Sequence, residues 1–172
     1  FNKDVLQETD SRIYQSVIIG DLKNIGQRPE ADMRIKLIKK LCNFLSEIRS
    51  GLTYIDIGSN MGTFCFAVSK LKKVSECIGI EAFEKYRVFA EGLKFLAGAT
   101  KVSFLNLACG SDKIANKILT HNKHATEPFI SLMSVYHHID DKEMCLADLS
   151  YLRPAALAIE FATQERYYPE RK

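Results

Sequence analysis

Residues 53–64, Thr-Tyr-Ile-Asp-Ile-Gly-Ser-Asn-Met-Gly-Thr-Phe, restrict the fold of this chain more than any other stretch. The run 54–57 reads as a buried strand, Gly58 opens a tight turn, and the sequence after Gly62 reads as the start of a helix. Glycines at 58 and 62 let the turn take unusual backbone angles and let a ligand lie close to the chain. The helix start offers free N–H groups and the positive end of its dipole. Open α/β sheets place their ligands at such turns, outside the carboxyl ends of strands.

The rest of the chain alternates strand and helix. Residues 12–20 suit a short strand or arm, and Asn24 to Pro29 is turn chemistry. Asp32 is placed to cap a helix with Ile38, Leu41, Leu45 and Ile48 at helical spacing, ending near Ser50-Gly51. The helix after the glycine turn puts Phe64, Ala67, Val68 and Leu71 on one face. Residues 77–80 form a second strand ending in Glu81, and the next helix carries Tyr86, Phe89, Leu93 and Leu96 on one side. Residues 102–107 form a third strand, followed by a short helix over 112–119 and a polar loop over 120–127. Residues 128–135 form a fourth strand, and Asp140 with Glu143 makes a capping box for the helix behind it. Residues 155–161 form a fifth. This order predicts a Rossmann-like, doubly wound α/β fold, a mostly parallel sheet with helices on both faces.

Length fits one domain: an N-terminal arm and helix over 1–50, then a core over 51–172. A net charge of +3, without a dense basic run, makes no case for nucleic acid, though that acceptor class stays open. Five cysteines form no CxxC pair and read as small buried hydrophobes in a reducing compartment. No apolar run reaches the ~20 residues that span a bilayer, so a cytoplasmic protein is expected. The Phe start suggests a fragment of a longer protein.

A dinucleotide turn has glycines at G-x-G-x-x-G spacing, so that amides approach a pyrophosphate. Here Asn60 replaces the middle glycine. Asp56 would disfavour a pyrophosphate and favour an ammonium group, while Glu81 is placed to accept hydrogen bonds from two ribose hydroxyls. A ligand with a ribose, a positive amine and no phosphate fits both acids. S-adenosylmethionine is such a ligand.

On these residues the chain resembles the class I S-adenosylmethionine-dependent methyltransferases. Asp56 to Phe64 looks like their motif I, and 78–81 like their second strand. Residues 107–111 are similar to the exit of the third strand, 132–139 to the fourth-strand motif, and 152–157 to the turn before strand five. The resemblance implies that Asp56, Gly58, Ser59, Asn60, Gly62 and Glu81 hold the cofactor, with Ala82, Phe83, Ala108, Cys109 and Ser134 lining it. Tyr14-Gln15, the turn at Arg28 and Arg34 resemble the methyltransferase domain of bacterial O-antigen chain-terminating kinase–methyltransferases. That likeness implies that Tyr14, Gln15 and Arg34 meet the methionine end, where an arginine suits the carboxylate. The tRNA wobble-uridine carboxymethyl-transferring enzymes share a similar layout. The usual methyltransferase sheet finishes with an antiparallel hairpin of two further strands, which residues 162–172 are not expected to supply.

His137, His138 and Glu160 are the candidate catalytic residues. A strand-end histidine beside the methyl group suits a general base, against the alternative of a hydrogen-bonded loop histidine. Glu160 would hold the acceptor or be a solvated strand end. An anionic acceptor needs positioning alone. His121 and His124 share a polar loop with only Glu127 in reach, which gives no metal site. The expected activity is methyl transfer to an oxygen or nitrogen of a small-molecule, sugar or phosphate acceptor. A silent cofactor-binding module or a tRNA-modifying transferase is the alternative.

Overall fold

The computed structural model describes residues 17–19, 22–24, 31–49, 51–125 and 127–161. Tyr14, Gln15 and Arg28 lie outside them. Strands β1 (Val17–Ile19) and β2 (Leu22–Asn24) form a small antiparallel hairpin. Helix α1 (Ala31–Ile48) follows. Asp32 is its second residue, so the helix begins one residue before the expected cap.

The core alternates strictly: β3 (Leu52–Ile57), α2 (Thr63–Ser69), β4 (Val74–Glu81), α3 (Glu84–Ala97), β5 (Val102–Asn106), α4 (Ile114–His121), β6 (Phe129–Leu132), α5 (Lys142–Ser150) and β7 (Ala156–Ile159). The strands pair in parallel in the order β5-β4-β3-β6-β7, as the doubly wound expectation requires. Strand order reverses between β3 and β6, which opens a crevice at their carboxyl ends.

The period-2 alternation of strand side chains builds two cores. Leu52 and Tyr54 join Ile38 and Cys42 of α1, Phe64 and Cys65 of α2, and Ala90 and Leu93 of α3. Ile55 and Ile57 point the other way, onto Ile114 and Ile118 of α4 and Cys145 and Leu149 of α5. Helix α2 sits between the sheet and α1, so Phe66 is buried as well as Phe64 and Val68, and Leu71 falls beyond its end.

Several expectations are corrected. Helix α3 buries only Ala90 and Leu93, because it meets the sheet along a narrow stripe; Tyr86 and Leu96 face outward. Strand β6 ends at Leu132, since Ser134 enters the left-handed region at φ 58° and turns the chain into the 3-10 turn Tyr136–His138. The cap of α5 is Asp141, whose carboxylate accepts from the Met144 amide at 2.8 Å, not Asp140. Cys42, Cys65 and Cys77 are buried thiols, but Cys109 and Cys145 form a disulfide, against the expectation that all five cysteines are reduced.

Gly92 tests the packing of α3. A Cβ there meets nothing within 4 Å, and its φ is not left-handed. Gly92→Ala is expected to stabilise the protein by about 0.5–1 kcal/mol in urea unfolding, by restricting the unfolded chain.

Candidate functional site

The turn after β3 is closed on itself. The N–H groups of Gly58 and Ser59 both donate to the Ile80 carbonyl, at 2.8 and 2.9 Å. The Asn60 N–H donates to Glu81 Oε2 at 2.8 Å, the Met61 N–H to Asn60 Oδ1 at 2.9 Å, and the Gly62 N–H to the Ser59 carbonyl at 2.8 Å. Five consecutive amides are thus engaged within the protein. An anion-binding turn needs such amides pointing outward. This one does not offer them, and a pyrophosphate finds no cradle here.

The glycines answer to packing. Gly58 and Gly62 have φ of 72° and 80°, in the left-handed region. A Cβ on Gly58 would stand 2.5 Å from Val135 Cγ2, and one on Gly62 would stand 2.3 Å from Phe104 Cζ. The Phe104 ring also fills the space above Gly79, where a Cβ would come within 2.4 Å of it. Gly62→Ala is therefore expected to destabilise the protein by about 3 kcal/mol even without ligand, measured by chemical unfolding. Phe104→Leu in the same chain should recover part of that loss.

Glu81 ends β4 and is only 5% exposed. Its Oε2 holds the Asn60 amide, and its Oε1 accepts from the Phe83 N–H at 2.9 Å. Two backbone donors fix the carboxylate plane at the rim, and the remaining lone pairs can take hydroxyl donors. Asn106, which the sequence did not single out, donates Nδ2 to the carbonyls of Glu81 and Ala82 at 2.9 Å each. An asparagine at the end of a neighbouring strand is its only signal. Phe83 is 68% exposed and meets Tyr86 edge-on, with ring centroids 6.1 Å apart. Ala82 is exposed beside it, and Ala108 and Cys109 are half-buried in the loop after β5.

Asp56 lies beneath the turn. It is 1% exposed, and Ser131 of β6, its register partner, donates to Oδ1 at 2.8 Å. The Tyr54 hydroxyl is 2.7 Å from that same Ser131 oxygen and completes the chain. Asp56 Oδ2 and Ser59 Oγ are buried without a hydrogen-bond partner among the described residues. Burial pushes the Asp56 carboxyl up to about 7, against the opposing hydrogen bonds from Ser131 and Tyr54.

Arg34, Ser134 and Glu160 come together from α1 and the ends of β6 and β7. Arg34 Nη1 donates to Ser134 Oγ and to Glu160 Oε2, both at 3.0 Å, and Ser134 donates to the same Glu160 oxygen. The Arg34 side chain is 11% exposed, and its Nε and Nη2 are buried with no hydrogen-bond partner among the described residues. Those two nitrogens form the side-on edge of the guanidinium, the fork that takes a carboxylate bidentately. Glu160 is thereby a partner of Arg34, not a solvated strand end.

His137 and His138 are exposed in the turn after β6, with ring centroids 3.9 Å apart. Tyr136 meets Phe161 edge-on at 5.5 Å, and Lys142 Nζ lies 5.9 Å over the Tyr136 ring. His121 faces Ser103 at 3.0 Å and Glu76 at 3.8 Å. Among the described residues no group of three His, Cys, Asp or Glu side chains could hold a metal ion, and no helix is long and apolar enough to cross a membrane.

Solved structures share this fold. The chain is similar to the N-terminal domain of EvdMO1, solved in the presence of SAH and D-fucose, with a TM-score of 0.65 at 12% identity over 91% of this chain and 61% of that one. It is similar to the bifunctional kinase-methyltransferase WbdD, with a TM-score of 0.63 at 18% identity over 95% of this chain and 36% of that one. A SAM dependent methyltransferase from Aquifex aeolicus matches with a TM-score of 0.53 at 17% identity, over 74% of this chain and 70% of that one. The chain spans less than two thirds of the EvdMO1 domain and of WbdD. No protein-family model matches it, and no curated protein matches it by sequence. The chain has the fold of the class I S-adenosylmethionine-dependent methyltransferases.

Proposed function

We propose that this protein binds S-adenosylmethionine and transfers its methyl group to an oxygen or nitrogen of a small-molecule acceptor, a saccharide foremost. Two observations carry the reading: the Glu81 carboxylate, fixed by two backbone donors at the end of β4, and the buried, unpartnered Nε–Nη2 edge of Arg34 beside the ends of β6 and β7. Glu81 takes the ribose hydroxyls and Arg34 the methionine carboxylate. Tyr14 and Gln15 would close over that end. Gly58, Ser59, Asn60 and Gly62 shape the floor, with Asp56 beneath it. Phe83 and Ala82 flank the adenine on one side, with Ala108 and Cys109 on the other.

The bound cofactor supplies an electrophilic methyl group on a sulfonium. The protein's part is to aim an acceptor along the line of the breaking carbon–sulfur bond and to receive its proton. His137 or His138 is the base: both rings stand in the 3-10 turn after β6, and imidazole is the side chain suited to general-base work. Ser134 orders the end of β6 through Arg34 and Glu160. A sugar acceptor is supported by the D-fucose in whose presence, with SAH, the EvdMO1 domain was solved, and by the exposed aromatic rim at Phe161.

Calorimetry should give binding of S-adenosylmethionine and S-adenosylhomocysteine and no heat with NAD; the reverse result sinks the reading. Arg34→Met is expected to weaken S-adenosylmethionine at least about tenfold, while methylthioadenosine, which lacks the carboxylate, binds unchanged. A catalytically silent binder is the second reading, favoured by the engagement of Glu160 with Arg34. Release of S-adenosylhomocysteine on addition of sugar acceptors, compared with tRNA, separates the two and names the acceptor class. No release with either leaves the silent binder.

A further inference from the structure

The disulfide joins the two chain segments that flank one wall of the crevice. Cys109 lies in the loop after β5, Cys145 in the first turn of α5, and their Cα atoms are 5.4 Å apart across 36 residues of sequence. The first segment is tied to the cofactor side, where the Leu107 N–H donates to the Glu81 carbonyl at 3.3 Å. The second follows directly on His137 and His138. The two touch so closely that a Cβ on Gly110 would come within 2.8 Å of the Asp141 carbonyl. That same carbonyl accepts from the Cys145 amide at 3.1 Å.

We propose that Cys109–Cys145 is a redox-modification site, acted on by dithiol reductants, whose state sets how firmly this wall is closed. Its effect on ligand rests on the cofactor reading above. Cys109 is half-buried and Cys145 is sealed, so the thiolate of the reductant attacks the Cys109 sulfur. The S–S bond breaks, and the departing Cys145 sulfur takes up a proton, since its apolar surroundings disfavour the thiolate. The second thiolate of the reductant then displaces Cys109. Two electrons and two protons pass to the protein, giving two thiols, and the reductant departs as a disulfide. Opened, the loop after β5 and the histidine turn are no longer one body. Linkage makes the effect reciprocal: bound cofactor should make the pair harder to reduce by the same factor.

The test uses the whole chain. Thiols counted in denaturant should number three without reductant and five after dithiothreitol, matching the three free cysteines and the five in the sequence. S-adenosylhomocysteine should bind about tenfold more weakly to the reduced protein and to Cys145→Ser than to the oxidised protein. Hydrogen exchange should rise in residues 107–111 and 136–145 on reduction. Five thiols without reductant, or equal affinity with unchanged exchange in all three forms, overturns the proposal. Binding to none of the forms would sink the cofactor reading instead, and the exchange result then decides the bridge by itself.

Discussion

Glu81→Ala is expected to lower the affinity for S-adenosylmethionine by about a hundredfold or more, read by titration calorimetry. On the proposed reading the substitution removes an acceptor for two ribose hydroxyls, each a charge-assisted hydrogen bond of about 1.5–3 kcal/mol. It also frees the amides of Asn60 and Phe83, the two donors that hold the rim in place. Asn60 sits at φ 49°, a left-handed position that needs such restraint, so the turn should relax as well. Glu81→Gln keeps one carbonyl oxygen but turns an amino group toward a backbone donor. Its loss should lie between the wild type and alanine. Unchanged affinity in Glu81→Ala, with the fold intact by circular dichroism, would remove the ribose role.

The second large effect is on stability against pH. The Asp56 carboxyl titrates near 7 in the folded chain and near its usual 3.8 when unfolded, because burial disfavours the charged form. Below about pH 4 both states hold the proton, and the group contributes nothing. Between about pH 4 and 7 only the folded state holds it, so stability falls as pH rises, by about 1.4 kcal/mol per unit. Across that window the loss amounts to about 4 kcal/mol, and above pH 7 it levels off. Asp56→Asn keeps an acceptor for Ser131 and cannot ionise. The difference between mutant and wild type in urea unfolding should be near zero at pH 4 and about 4 kcal/mol in the mutant's favour at pH 8. Other carboxylates add their own slopes, which cancel in that difference. A flat difference would mean that Asp56 is solvated in solution.

Much of this was legible in residues alone. Alternating apolar runs and breaks place the strands, and the end of β4 at Glu81 follows from the polar residue that closes Cys77 to Ile80. What the sequence hides is what lies opposite. The sequence does not show that Asp56 lies beside Ser131 of β6, in register with it. Nor does it show that Phe104, from a strand two places away, packs against Gly62. Tyr86 and Leu96 keep helical spacing with Leu93, but their helix meets the sheet on too narrow a face to bury them. Cysteine partners 36 residues apart cannot be matched by counting.

The self-contained turn has a consequence for how this protein can change. Two of its five amides are held by a strand carbonyl, that of Ile80, and only one by a side chain from outside the turn. No single substitution releases the set, since backbone-to-backbone bonds survive any exchange of side chain. A variant that accepted a pyrophosphate would need the register between β3 and β4 to move, which displaces every buried residue along both strands. Ligand class is therefore an inherited property of the strand pairing. On the proposed reading, acceptor preference would rest on side chains such as His137, His138 and Phe161, which can change one residue at a time.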